Sequence, residues 1–97
     1  MTILVLGEVK AKADSVDELK TLLREILPDT RAFDGCEGVT VYTVSDDRQT
    51  FLFVEFFQSK EHQQRYVQWR TETGVMAQLG EMLEGPPQVR YFEDIEA

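Results

Sequence analysis

Apolar and polar positions recur with two different periods along this chain, and each change of period marks an element. TILVLGEVKAKA (Thr2–Ala13) opens as an apolar run and then alternates, Val9 and Ala11 against Glu8, Lys10 and Lys12. That pattern predicts a strand with one end buried on both faces. In SVDELKTLLREIL the period lengthens: Val16, Leu19, Leu22, Leu23, Ile26 and Leu27 fall on one helical stripe. Ser15 stands as N-cap with Glu18 three residues on, the spacing of a capping box. Pro28 is expected to end or kink this helix, and DTRAF to add a last turn before Gly35. VTVYTVS (Val39–Ser45) is rich in β-branched residues and predicts a strand. DDRQ predicts a four-residue turn, and TFLFVEFF returns as the second arm of a hairpin. Pairing Ser45 with Thr50 sets Tyr42 opposite Phe53 and Thr40 opposite Glu55. A second helical region follows, capped by Ser59 and broken at TETG (Thr71–Gly74). Its second half carries Val75, Met76, Leu79, Met82 and Leu83 on one face. GPP (Gly85–Pro87) stops it, and QVRYF (Gln88–Phe92) predicts a last short strand before an acidic tail.

Strand, helix, strand, strand, helix, strand is the split βαβ order. It predicts an α+β, ferredoxin-like βαββαβ fold with a four-stranded antiparallel sheet. Right-handed crossovers make the first and third strands the central pair and place both helices on one face. FLFVEFF (Phe51–Phe57) then stands out, because it is apolar on both faces. Phe51, Phe53 and Phe57 point one way, Leu52, Val54 and Phe56 the other, and Glu55 interrupts the run. Helices cover one face only. An open apolar face is rare in a monomer, so a second copy packed sheet on sheet is expected, with Leu52, Val54 and Phe56 facing the partner.

Length and charge narrow the function classes. Ninety-seven residues predict one domain, 1–97. A net charge of −8 repels phosphate backbones and anionic membranes, and no local basic patch offsets it, so nucleic-acid or membrane binding is not expected. Cys36 is alone and cannot form an intrachain disulfide. The apolar start, Ile3 to Leu6, is much shorter than a signal-peptide core, and no run approaches a membrane span. A reducing cytoplasm is the expected setting. One histidine and scattered carboxylates form no ligand set, so neither metal nor cofactor is expected.

Three strings carry a resemblance: TRAFDGC (Thr30–Cys36), FLFVEFF with Glu55, and GPPQVRYFE (Gly85–Glu93). With the spacing between them, they resemble the antibiotic biosynthesis monooxygenase domain, a dimeric α/β-barrel group, over nearly the whole chain. The resemblance implies a homodimer and a pocket between sheet and helices. Members include cofactor-independent oxygenases of quinols and polyketide phenols, haem-degrading enzymes and proteins that process signal molecules. This chain departs from the pattern at several points. Tyr66 and Thr71 stand where the family often has histidines, and Phe57 where it often has tryptophan. Phe53 stands where the polyketide branch has asparagine, and the chain contains no asparagine. The asparagine and axial histidine of the haem-degrading branch are both missing, so haem degradation is not expected.

Cofactor-free oxygenation needs a dry pocket for an aromatic ring and a base. Glu55 is the candidate base. Its expected surroundings are Tyr42, Phe53, Phe57, Tyr66 and Trp69, and burial among rings would raise its pKa. The alternative is a structural ion pair with Lys10 or Arg90. His62, Tyr66 and Trp69 stand at i, i+4 and i+7 on one helical face. They either line the mouth of the pocket, Tyr66 donating to a substrate oxygen, or pack as an amphipathic face. Met76 is either core or an adaptable pocket wall, and Cys36 is expected to be a small buried filler. Three readings follow: a cofactorless monooxygenase of a small phenolic or quinol substrate, a non-catalytic dimeric ligand-binding or regulatory module, and a proton-transfer enzyme of the isomerase or cyclase kind.

Overall fold

A computed structural model describes residues 2–97. Its elements are β1 (Ile3–Lys10), α1 (Val16–Ala32), β2 (Cys36–Val44), β3 (Asp47–Phe57), α2 (Lys60–Glu72), α3 (Val75–Glu81) and β4 (Gln88–Glu93). The four strands form one antiparallel sheet in the order β2-β3-β1-β4, so β1 and β3 are central as the crossover rule requires. The helical region between β3 and β4 breaks at Gly74, whose φ of +86° suits glycine and ends α2.

Alternation of side chains along the strands fixes the two faces of the sheet. Ile3, Val5 and Val9 of β1, Val39 of β2, and Phe51 and Phe57 of β3 are buried on one face. Helix α1 covers one end of it, where Leu19, Leu22 and Leu23 pack with Val9, Phe51, Met82 and Leu83. Helix α2 covers the other end, where Tyr66 packs with Ile3, Val5 and Phe57. Both helices therefore lie on the same face. On the other face Leu4, Leu6, Leu52, Val54 and Phe92 are half-buried and Phe56 is 42% exposed, with no element above them.

Two local expectations are corrected and a third is resolved. Pro28 does not end α1, which gains the last turn expected of DTRAF and continues to Ala32. The turn beyond the proline is held by tertiary contacts instead: Thr30 is buried and bonded through its hydroxyl to Tyr66 and Arg70 of α2. Ser15 occupies the N-cap position of α1, but no capping box forms and its side chain makes no cap hydrogen bond. The first turn is closed by the Leu19 N–H donating to the Ser15 carbonyl at 2.8 Å. The hairpin turn is tighter than four residues. Val44 already pairs with Asp47, whose carboxylate accepts from the Thr50 hydroxyl at 2.7 Å and the Gln49 N–H at 3.1 Å. A register irregularity between Thr43 and Val44 follows, and the pairing shifts by one residue from that expected. Tyr42 stands opposite Leu52, Thr40 opposite Val54, and Val39 opposite Glu55.

Candidate functional site

Glu55 lies on the helix-covered face of β3, in a row across the sheet with Val39, Val5 and Tyr91. Along its strand the same-face neighbours are Phe53, which packs against the cluster under α1, and Phe57, which belongs to the cluster under α2. The carboxylate thus sits at the seam of the two halves of the core. Among the described residues it makes neither hydrogen bond nor ion pair with any side chain; the salt bridges that form are His62 and Arg65 with Asp34. Lys10 and Arg90 cannot reach it. Lys10 pairs with Thr50 and Arg90 with Leu6, both on the opposite face. Burial alone pushes the Glu55 carboxyl from the usual 4.5 up to about 7. Cys36, half-buried beside Phe57, has its thiol pushed up chiefly by burial, with a smaller contribution from the Glu55 charge.

The aromatic residues divide around this carboxylate. Phe57, Tyr66 and Trp69 meet in a cluster completed by Phe33, whose ring stacks on Trp69 at 5.2 Å and meets Tyr66 edge-on at 5.4 Å. The Tyr66 hydroxyl is committed: it lies 2.6 Å from Thr30 Oγ1 and accepts from Arg70 Nε at 3.0 Å. Arg70, itself buried, also donates to the Ile26 carbonyl at 2.7 Å and to Thr30 Oγ1 at 2.9 Å, with its guanidinium over the Trp69 ring. This network ties α2 to α1 just beyond Pro28. Donation from Tyr66 to a ligand would require it to rearrange.

Phe53 and Met76 share a separate cavity of about 370 Å3 between the sheet, α1 and α3. His62 is used locally. Its Nδ1 lies 2.6 Å from Ser59 Oγ, and its ring occupies the space over Gly35 (φ +87°) where a Cβ would clash at 2.3 Å. Tyr42 is on the other face of the sheet, 55% exposed, and so does not wall the Glu55 site. The register shift is the cause. The structure also adds Thr30 and Arg70, which sequence reasoning missed. Arg70 lies in a polar helix whose weak apolar stripe gives no sign of which cation turns inward. Among the described residues no three of the His, Cys, Asp and Glu side chains come together as a metal would need.

The profile of the family described as antibiotic biosynthesis monooxygenase matches residues 2–72. No curated protein matches the chain. Among solved structures, Rv0793 of Mycobacterium tuberculosis is similar with a TM-score of 0.86 at 23% identity, covering 100% of this chain and 98% of that one. A conserved protein of Methanosarcina mazei Go1 gives 0.88 at 16% identity, with 97% and 93% covered. A crystal structure of an antibiotic biosynthesis monooxygenase gives 0.86 at 16% identity, with 96% and 98% covered. At these identities the structures share a fold with the chain, while the profile match extends through β1, α1, the hairpin and α2, including Glu55. This chain belongs to the antibiotic biosynthesis monooxygenase family.

Proposed function

We propose that the protein is a cofactor-independent monooxygenase of a small phenolic or quinol-like aromatic substrate, with Glu55 as its base. One observation carries the proposal: an unpaired carboxylate, raised to about 7 by burial, on the helix-covered face of a central strand between Phe53 and Phe57. A charge without a partner is costly to bury and tends to persist where it has a task. Its protonation equilibrium lies where a general base works best near neutral pH.

The chemistry asks little more of the chain. An anthrone-type substrate supplies all four electrons itself. The Glu55 carboxylate takes a proton from the substrate, and the anion passes electrons to dioxygen. One oxygen atom becomes the new carbonyl, and the other leaves as water with the two hydrogens lost from the ring carbon. Apolar walls exclude bulk water from the anion, and the strand holds the ring against the base.

The lining of the 370 Å3 cavity favours a second reading. Its lining side chains are all apolar, which suits a ligand-binding module as well as an enzyme. Oxygen uptake across a panel of quinols, anthrones and catechols separates the two. At least one compound should support uptake that rises with pH through about 7, the Glu55 value. Glu55→Gln should keep the fold and lower that uptake by roughly two to four orders of magnitude. Uptake unchanged in Glu55→Gln removes Glu55 as the base. Proton exchange or isomerisation without uptake points to the proton-transfer reading. Binding without either reaction leaves the ligand-binding module. We further propose that the working form is a homodimer joined through the uncovered sheet face.

A further inference from the structure

The helix-covered face is filled at one end and open at the other. Around Tyr66 the space is taken by Phe33, Phe57 and Trp69, ring against ring. Toward the other end, next to Phe53, the 370 Å3 cavity remains, lined by Val9, Leu19, Phe53, Met76, Leu79 and Pro87 among others. Its lining side chains offer no N–H, no O–H and no charge. Val9 and Leu19 are buried core residues and form fixed walls. The roof is α3, seven residues of which none is buried, set between Gly74 in the left-handed region and the Gly85–Pro87 segment. The volume is that of a small-ligand site. Glu55 is two residues from Phe53 on the same face of the strand, about 7 Å along it.

We propose that this cavity receives a hydrocarbon substituent of the ligand, so that the preferred compounds are alkyl-substituted phenols or quinols and not ones oxygenated on every ring. An oxygen placed against these walls would lose its water and gain no side-chain partner. A methylene placed there leaves water for an apolar wall, which strengthens binding about fourfold. Placement of the ligand hydroxyl at Glu55 rests on the function proposed above. The preference of the cavity for hydrocarbon does not.

The test is anaerobic isothermal titration of 4-alkylcatechols from methyl to octyl. Kd should fall about fourfold per methylene until the cavity is full and then level off. The same compounds ending in a terminal hydroxyl should lose most of this dependence. Met76→Asp puts a carboxylate in the roof, where no residue is buried, and should abolish the dependence while circular dichroism remains native. Met76→Leu should retain it. Met76→Gln, close in size to the native side chain, is measured alongside and should weaken the octyl compound most. A Kd independent of chain length in the wild-type protein, or an unchanged slope in folded Met76→Asp and Met76→Gln, overturns the inference. Oxygen uptake is scored separately on the same compounds. A chain-length slope without uptake keeps the cavity assignment and removes the oxygenase reading, and uptake without a slope does the reverse.

Discussion

A carboxylate whose pKa is raised by burial alone makes the folded protein pH-sensitive in a defined direction. The folded state holds the Glu55 proton up to about 7, whereas an unfolded chain releases it near 4.5. Between those values the folded state binds more protons, so this group's contribution to stability falls as pH rises. The contribution is fully present below 4.5 and lost above about 7, an effect of up to roughly 3 kcal/mol. Glu55→Gln removes the charge and so removes this loss. Thermal melts of the two proteins should nearly coincide at pH 4.5 and separate at pH 8, with the glutamine variant the more stable. A pair whose separation does not change with pH would show that the Glu55 pKa is the same in the folded and unfolded chain. An ion-pair role, which the sequence left open, predicts the opposite sign at pH 8, so one experiment decides between them. Arg70 makes the contrasting case, a buried charge that donates three hydrogen bonds, to Tyr66, Thr30 and the Ile26 carbonyl. Arg70→Met keeps the bulk but strips three acceptors of their donor, and should cost about 3 kcal/mol in chemical denaturation. Arg70→Lys cannot reproduce the fork and should recover only part of that. Glu55 was legible in the sequence because a single charge broke an apolar strand. Arg70 was not, because in a helix dense with polar residues nothing in the spacing distinguishes an inward cation from an outward one.

The first strand and α1 were legible from period, since each needs one apolar face and each period supplies only one way to make it, while β2 was legible from its β-branched residues and α2 from its cap and flanking breaks. Errors arose where a neighbour or a turn overrides the local signal. In α1 the proline removes one backbone donor, yet the helix continues because Leu19, Leu22 and Leu23 bury before it and Thr30 is bonded after it. Tertiary contacts there outweigh a penalty of about 3 kcal/mol. Pro28→Ala should therefore raise the free energy of unfolding, measured by chemical denaturation, by about 1–3 kcal/mol less what the proline saves in unfolded-chain entropy. A variant of lower stability would mean that the ring itself is a packing element. In the hairpin, Asp47 decides the register by gathering Thr50 and Gln49 into a tight turn. Because side chains alternate, that one-residue shift moves Tyr42 from the Glu55 side of the sheet to the other. Part of the candidate site was therefore misread through a turn rather than through any residue of the site. The break between α2 and α3 was readable because it falls at a glycine. At φ +86° Gly74 has open space around its Cα, so Gly74→Ala meets no clash and costs only the backbone strain, about 1 kcal/mol.

The uncovered face is a property of the assembled sheet and of no single strand. Leu4 and Leu6 of β1, Leu52, Val54 and Phe56 of β3, and Phe92 of β4 come from three segments far apart in sequence and meet only through the strand order. Lone apolar side chains on a surface need no explanation, but a contiguous set spanning the central strands does. Val54 stands in its middle, with Leu6 on one side and Thr40 on the other. Arg90, beside Leu6 and stacked over Phe92 at 5.0 Å, and Glu8 toward the end of β1 supply polar groups at its margin, as an interface rim does. A second copy placed face to face would bury this set against itself, and two-fold symmetry would bring the same residues together from both sides. The expected species in light scattering at micromolar concentration is therefore the dimer. Val54→Asp discriminates between an interface role and a core role. In a single chain the aspartate would face water and the fold would stand, whereas in the dimer two unpaired carboxylates would meet in a dry contact. The expected outcome is a folded, monomeric Val54→Asp protein with a lower melting temperature, because the monomer then exposes Leu6, Leu52 and Phe56. Val39→Asp, on the helix-covered face where Val39 is 5% exposed, should instead abolish folding. A wild-type monomer, or a Val54→Asp protein that remains dimeric, would exclude this face as the interface.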